Sequence, residues 1–253
     1  MTAFQLMTHY ANDYFDLDAD RANQTPTKWS GGSRVLPGGE LPVKVALIAA
    51  LVLAAIGCAV SALLVAKTDA RIAAILASIL VLAWGYSAPP LRLCARGLGE
   101  LDTAVVVTVL VPWLGFVLQA PDYAGASVLG CAIVPLALLQ FAMLIAIEFP
   151  DAAGDEATGK RTLVVRLGAP RAAQLYAAVV VLAYVWLPLA WTLGLPARVA
   201  VAAALPAPIA AWRVARIGRD SSDRSAHERM TFFAVFLLVA TSLCELIATR
   251  TYR

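Results

Sequence analysis

Residues 126–147 read ASVLGCAIVPLALLQFAMLIAI, a run of 22 positions without a charged side chain. A helix of about 20 apolar residues is long enough to cross the hydrocarbon core of a bilayer. Six more long apolar stretches occur along the chain, at residues 43–66, 71–87, 101–119, 173–194, 198–216 and 230–249. The sequence therefore predicts about seven complete membrane-spanning helices.

The composition also indicates a membrane protein built from helices. The chain has 253 residues, of which 60% are hydrophobic and 15% are charged, and its mean hydropathy is +0.75. A soluble domain carries about 25% charged residues. The apolar runs lack the alternation of polar and apolar residues that is typical of a membrane barrel. We therefore expect an all-α bundle that forms one domain over residues 1–253, lies in a lipid bilayer and has no nucleic-acid partner.

Basic residues are unevenly distributed between the two sets of loops. One side of the predicted bundle carries 15 of the 20 Lys and Arg residues, in the segments 12–44, 88–100, 148–172 and 213–229. The other side carries Lys67, Arg71, Arg198, Arg250 and Arg253. Loops rich in Lys and Arg stay on the cytoplasmic side. The pattern predicts that the first side faces the cytoplasm, in a cell (inner) membrane.

The N-terminus differs from the other apolar stretches. Residues 1–11 resemble the last turns of a helix and reach about 16 Å, which is too short to cross a bilayer. They have no charged start and no cleavage site, so they are not a signal peptide. We expect a helix remnant here, and hence a chain that is truncated at its N-terminus or has a misplaced start.

A short acidic cluster follows this remnant. It begins at Asn12 and contains Asp13, Asp16 and Asp20, which share one helix face because each residue advances by 100°. Asp18 points to a different face. Carboxylates this dense beside membrane helices are costly unless something binds them. The cluster therefore predicts a bound cation.

A second acidic cluster lies on the same side of the predicted bundle. Asp151 and Asp155 are one helical turn apart, with Glu148 on the same side of the helix. Like charges on one face repel and raise one another's pKa unless a cation compensates. Mg²⁺ commonly binds through a few carboxylates together with phosphate oxygens of a substrate. The two clusters therefore indicate a pair of Mg²⁺ ions and, through them, a diphosphate.

Basic residues follow each acidic cluster. Lys160 and Arg161 come soon after the second one, and Lys28 follows the first in a loop with glycine pairs at 31–32 and 38–39. Such side chains can hold diphosphate oxygens that the metal leaves free. They are also explained by the ordinary excess of basic residues in cytoplasmic loops. Both interpretations stay open for each residue.

The acidic clusters resemble the signature motifs of a known family. Asn12-Asp13-x-x-Asp16-x-x-x-Asp20 and Asp151-x-x-x-Asp155 match the two motifs of the UbiA superfamily of intramembrane prenyltransferases. The segments 86–100 and 159–168 are similar to loops of the same superfamily. Within it, the chain is most similar to the menaquinone branch, the 1,4-dihydroxy-2-naphthoate prenyltransferases. The resemblance implies a polytopic helix bundle around a cavity that opens to lipid.

The resemblance also implies a reaction and the residues that perform it. A prenyl group would pass from a polyprenyl diphosphate to an aromatic acceptor, after Mg²⁺-assisted ionisation of the diphosphate. The implied catalytic residues are Asp13, Asp16, Asp151 and Asp155. The implied Mg²⁺ ligands are Asn12, Asp13, Asp16, Asp20, Asp151 and Asp155. The implied substrate-binding residues are Asn12, Lys28, Tyr86, Arg92, Lys160 and Arg161.

Other functions are also compatible with this sequence. The acceptor of a UbiA-type enzyme can instead be 4-hydroxybenzoate, homogentisate, haem or a lipid glycerol. A membrane transporter can use buried acids to carry cations or protons. Acids grouped at a helix end suit a metal and a diphosphate better than a transport site at the midplane of the bilayer. An inactive fragment is a further alternative.

Overall fold

The computed structural model describes residues 1–120, 122–217 and 224–250. Within these ranges the chain forms helices and no strands, as the composition predicts. Arg219 and Arg253, which contribute to the charge pattern of the sequence, lie outside the described residues. The bounds of the helices are α1 Thr2–Phe15, α2 Leu17–Ala22, α3 Lys44–Lys67, α4 Ile72–Gly85, α5 Gly99–Gln119, α6 Ala126–Glu148, α7 Ala152–Ala157, α8 Leu163–Leu167, α9 Ala169–Thr192, α10 Ala197–Val214 and α11 Arg224–Arg250.

Six of the described helices are long and apolar enough to cross a membrane, namely α3, α5, α6, α9, α10 and α11. The remaining predicted stretch, residues 71–87, forms α4. This helix has 14 residues and reaches only about 21 Å. It ends at Gly85 and a turn with Pro89 and Pro90 follows, because proline cannot continue a helix. The prediction of a polytopic membrane bundle is confirmed, with α4 shorter than the other predicted spans.

The N-terminal helix α1 extends further than the remnant predicted over residues 1–11. It continues to Phe15, and the next helix begins at Leu17. The residue between them, Asp16, has φ −100° and ψ 7° and interrupts the regular helix. The expectation that the first acidic cluster lies on one regular helix is therefore wrong at Asp16. The chain nevertheless stays nearly helical, because the Asp16 amide donates a hydrogen bond to the Asn12 carbonyl and the Asp20 amide donates one to the Asp16 carbonyl.

The two largest apolar clusters of the described residues hold the two halves of the bundle together. In the first, the buried side chains Phe4, Met7 and Ala11 of α1 pack against α3, α4 and α5. A side chain at Gly57 would collide with the ring of Phe4, so this glycine permits the close contact of α1 with α3. The second core joins α6, α9 and α11 around residues such as Tyr176. The acidic clusters lie where these two halves meet.

The outer surface of the bundle is apolar. On α3, for example, Ile48, Leu51, Val60 and Leu63 are each about half exposed or more. A soluble protein rarely exposes so large an apolar surface, whereas hydrocarbon tails cover it at no cost. Such faces suit a lipid environment, in agreement with the six described helices that are long and apolar enough to cross a membrane.

Candidate active site

A cavity of about 910 Å³ lies between the two halves of the bundle. Its wall is formed by α1, α2, the segment 23–33, α4, α5, the end of α6 and the region of the second acidic cluster. One end is lined by the acidic residues and Lys160. The remaining wall includes many apolar side chains, such as Phe4, Ile79, Val106 and Met143. The cavity can therefore hold a ligand with a charged head and a hydrocarbon tail.

All members of the first acidic cluster line this cavity, namely Asn12, Asp13, Asp16 and Asp20, whereas Asp18 is exposed and outside its wall. The Asn12 amide donates hydrogen bonds to Asp16 Oδ2 at 2.7 Å and to Ser87 Oγ at 3.0 Å. The Cys94 thiol also lies 3.8 Å from Asp16 Oδ2. These contacts hold the buried Asp16 carboxylate in one orientation.

The second acidic cluster faces the first across the cavity. Asp155 lies on the short helix α7, and Asp151 directly precedes that helix. Lys160 bridges the two clusters, because its ammonium lies 2.9 Å from Asp16 Oδ2 and 3.4 Å from Asp155 Oδ1. The structure thus brings together side chains that are more than 130 positions apart in sequence.

The segment 23–33 closes one side of the site and is tied to Asp151. Asn23 Nδ2 donates to Asp151 Oδ1 at 2.6 Å, and the Gly31 amide donates to Asp151 Oδ2 at 3.2 Å. Thr25 Oγ1 also donates to the Pro150 carbonyl at 3.2 Å. Both oxygens of Asp151 are therefore oriented by this segment, which itself contributes Lys28 and Trp29 to the cavity wall.

Crowding of carboxylates raises the pKa of several groups in the site. Burial, and then the nearby Asp16 carboxylate, raises the pKa of Asp20 to about 7. Burial raises the pKa of Asp155 to about 6, although Lys160 lowers it. Burial also raises the pKa of Asp151, against the hydrogen bonds from Ser30, Gly31 and Asn23 that lower it. One lysine does not balance the negative charge of this region, so additional positive charge would be favourable.

The chemistry of these side chains fits Mg²⁺. Carboxylate and amide oxygens are the protein ligands that this ion prefers, and the Lys160 ammonium already occupies a position where a cation is stabilised. In the described part of the chain, no three His, Cys, Asp or Glu side chains are close enough to form a metal site on their own. Mg²⁺ ordinarily keeps several waters and completes its coordination with phosphate oxygens of a substrate.

The structure separates the predicted substrate-binding residues into two groups. Lys28, Tyr86 and Lys160 line the cavity, as does Asn12. Arg92 and Arg161 are exposed and do not belong to its wall. Arg161 instead supports the loop after the second cluster, where its carbonyl accepts a bond from Arg166 Nε and its amide donates to Ala95.

Several polar residues of the cavity wall are missing from the sequence-based prediction. Asn23 is one of them, because no spacing rule connects it with Asp151, which lies 128 positions away. Asp102 and Gln140 are two more, and they lie in helices that are otherwise mostly apolar, Asp102 in the first turn of α5 and Gln140 in the middle of α6. A polar residue within a predicted membrane span is the signal that could have identified the latter two.

Comparison with known proteins agrees with this description. Neither the curated proteins nor the solved structures contain a significant match to the chain. The model of the UbiA prenyltransferase family matches residues 1–237, a range that includes both acidic clusters and the whole described cavity wall. The chain therefore belongs to the UbiA prenyltransferase family.

Proposed function

We propose that this protein transfers a prenyl group from a polyprenyl diphosphate to 1,4-dihydroxy-2-naphthoate, the aromatic acceptor of menaquinone biosynthesis, in a Mg²⁺-dependent reaction. The observation that carries the proposal is the convergence of both acidic clusters and Lys160 on the polar end of one apolar cavity. A polyprenyl diphosphate has the same division into a charged head and a hydrocarbon tail.

The acidic residues hold the metal ions in this proposal. The ligands of one ion are Asn12, Asp13, Asp16 and Asp20, and those of the other are Asp151 and Asp155. Mg²⁺ supplies the positive charge that stabilises the diphosphate as its allylic C–O bond breaks. Asn23 and the Gly31 amide keep Asp151 oriented toward the site.

Lys160 binds the diphosphate directly in this proposal. Its ammonium is held between Asp16 and Asp155, so it lies at the position where diphosphate oxygens would approach both acidic clusters. Lys28 lies at the exposed edge of the same cavity and is suited to attract the anionic head of the substrate. Arg92 and Arg161 have no part in it, because they lie outside the cavity wall.

The apolar part of the cavity accommodates the prenyl chain and excludes water. Exclusion of water protects the allyl cation from hydrolysis until the electron-rich ring attacks it. In the reaction with 1,4-dihydroxy-2-naphthoate, the ring loses its carboxyl group as CO₂ when the prenyl group adds. Support for this acceptor comes from the resemblance of the chain to the menaquinone branch of the superfamily, and support for a cytoplasmic site comes from the distribution of Lys and Arg.

The test is a product analysis with the full chain in membranes. Membranes are incubated with Mg²⁺, farnesyl diphosphate and a panel of acceptors that includes 1,4-dihydroxy-2-naphthoate, 4-hydroxybenzoate and homogentisate. We expect a product whose mass corresponds to prenyl addition with loss of CO₂. A product on a different acceptor would overturn the assignment of the acceptor, and cation transport without prenyl transfer would overturn the enzymatic function.

Substitution of the acidic residues tests the metal assignment in the same assay. We expect Asp13→Ala and Asp151→Ala to abolish Mg²⁺-dependent turnover while membrane insertion is unchanged. Asp18→Ala is the matched control, because Asp18 is exposed and lies outside the cavity wall. Full activity of either Asp13→Ala or Asp151→Ala would contradict the assignment.

A further inference from the structure

Two buried polar side chains in the cavity wall belong to neither acidic cluster. Asp102 on α5 is 7% exposed and Gln140 on α6 is 5% exposed, and both line the cavity. Asp102 Oδ1 has no hydrogen-bond partner among the described residues. Within a membrane such a group is unfavourable unless a ligand binds it.

The two residues lie at different depths below the acidic region. Helices α5 and α6 pack against each other, and the buried residues Glu100 and Glu148 lie at the ends of these helices that adjoin the acidic region. Asp102 follows Glu100 by two residues, about 3 Å along the helix, and Gln140 precedes Glu148 by eight, about 12 Å. Because α5 leads away from the acidic region and α6 returns to it, the two side chains differ in depth by about 9 Å.

The prenyl diphosphate does not satisfy these groups. Its tail has no atom that forms hydrogen bonds, and its diphosphate is repelled by a carboxylate and attracted to Lys160. The missing partner of Asp102 is therefore a second ligand, one that carries a hydrogen-bond donor and no diphosphate. Gln140, whose amide can both donate and accept, suits a second oxygen on the same ligand.

The position of Asp102 is close to the reacting end of the cavity. Gly99, three residues earlier in α5, lies against Tyr86, since a Cβ atom at Gly99 would be 3.2 Å from Tyr86 Cε2. Tyr86 lines the cavity together with Asp16 and Lys160. A ligand bound to Asp102 therefore lies within about one helical turn, or 5.4 Å of axis, of the level of Tyr86.

We propose that Asp102 and Gln140 form the acceptor subsite and select a hydroxylated aromatic ring. The Asp102 carboxylate accepts a hydrogen bond from a ring hydroxyl, and the Gln140 amide binds an oxygen at the far end of the molecule. This inference rests on the proposed prenyl transfer and adds to it the residues that recognise the acceptor. A ring with oxygens on opposite sides, such as 1,4-dihydroxy-2-naphthoate, matches the separation of the two side chains in depth.

The first experiment compares acceptor and donor kinetics of variants reconstituted in lipid nanodiscs. We expect Asp102→Ala and Gln140→Ala each to raise the KM for 1,4-dihydroxy-2-naphthoate about tenfold or more. The KM for farnesyl diphosphate should stay within about twofold. Glu245→Gln is the matched control, since Glu245 is also a buried carboxyl in a membrane helix but lies outside the cavity wall. An equal rise of both KM values would overturn the subsite.

The second experiment uses hydroxyl and methyl-ether forms of the acceptor. Wild-type protein should bind radiolabelled 1,4-dihydroxy-2-naphthoate more tightly than its 1,4-dimethoxy analogue, and Asp102→Ala should remove this preference. Asp102→Asn serves as a second variant of nearly equal volume, with unchanged thermal stability as the check on folding. Equal preference in wild type and Asp102→Ala would contradict the inference.

These readouts separate the subsite from the proposed function. If wild type binds the hydroxyarene with this preference but transfers no prenyl group, the proposed function fails and the subsite stands. If wild type transfers the prenyl group and Asp102→Ala has unchanged acceptor kinetics, the subsite fails and the function stands. If wild type neither binds nor prenylates any of 1,4-dihydroxy-2-naphthoate, 4-hydroxybenzoate and homogentisate, both are overturned.

Discussion

At the scale of single residues, Asp151 and Lys160 show how the fold assigns different roles to neighbouring polar groups. Asp151 is oriented through both oxygens by the segment 23–33. Lys160 contacts both acidic clusters, whereas Arg161, the next residue, is exposed and lies outside the cavity wall. Two basic residues that look equivalent in the sequence therefore have different surroundings.

Asn23→Ala tests the orientation of Asp151. Loss of the 2.6 Å hydrogen bond should raise the pKa of Asp151 further and leave its carboxylate less well positioned. We expect the Mg²⁺ concentration for half-maximal prenyl transfer to rise about tenfold, measured by Mg²⁺ titration of the rate. Gln24→Ala is the control, because Gln24 is exposed and its side chain bonds the Ala22 carbonyl rather than Asp151. An unchanged Mg²⁺ requirement in Asn23→Ala would argue against this role.

Lys160→Gln tests the direct binding of the diphosphate. Removal of this ammonium should lower kcat/KM for the prenyl diphosphate about 100-fold, as is typical when a charge-stabilising group is lost. Lys160→Arg should retain part of the activity because it keeps the charge. Arg161→Gln should stay within about twofold, as expected of an exposed position. Steady-state kinetics with both substrates decide this, and equal losses at positions 160 and 161 would contradict it.

At the scale of elements, the segment 23–33 depends on two glycines with positive φ. Gly32 has φ +69°, and a side chain there would collide with the Asp20 carboxylate. Gly31 has φ +83°, and a Cβ atom there would lie 2.8 Å from Pro26 Cβ. The glycine pair thus allows the backbone to pass close to both acidic clusters.

Gly32→Ala should therefore displace Asp20 and lower the rate of prenyl transfer about tenfold or more. Gly39→Ala is a matched control, because Gly39 has a similar φ of +73° but no neighbouring atom within 4 Å. The Gly39→Ala variant therefore has the strain of a left-handed backbone, about 1–2 kcal/mol, without a collision. The comparison of activity at equal folded fraction isolates the collision from the strain. Similar activities of the two variants would show that the contact with Asp20 is unimportant.

At the scale of the whole molecule, the two halves of the bundle bring like charges together at the polar end of the cavity. The folded-state pKa values of Asp20 and Asp155, about 7 and about 6, lie above the ordinary value of 3.8. The folded protein therefore holds protons on these groups that the unfolded chain has already released. Without a cation, folding stability contributed by these groups decreases as the pH rises from about 4 to about 7.

This charge accumulation predicts a pH-dependent effect of Mg²⁺ on stability. We expect the Tm of the metal-free protein to fall between pH 5 and pH 8, and the increase in Tm caused by Mg²⁺ to grow over the same range. Thermal unfolding in detergent, with and without Mg²⁺, measures both effects. In Asp20→Asn the pH dependence should weaken. A Mg²⁺ effect that is the same at pH 5 and pH 8 would count against the assignment of these carboxylates.

Much of the architecture follows from local sequence properties. The apolar stretches form the expected helices because hydrophobicity and helix length are local. The two acidic motifs and the lysine after the second one can also be recognised without a structure. The break at Asp16 could not be predicted, since the 100° rule assumes a regular helix.

The tertiary structure alone determined which polar residues share the cavity. The contact of Asn23 with Asp151, the bridge formed by Lys160, and the exposure of Arg92 and Arg161 depend on segments far apart in the chain. Asp102 and Gln140 likewise become neighbours of one cavity only because α5 and α6 pack side by side. The membrane bundle, the family and the acidic motifs can be recognised from composition and spacing, which are local properties of the chain. The arrangement of the site depends on packing between helices, which no local pattern encodes.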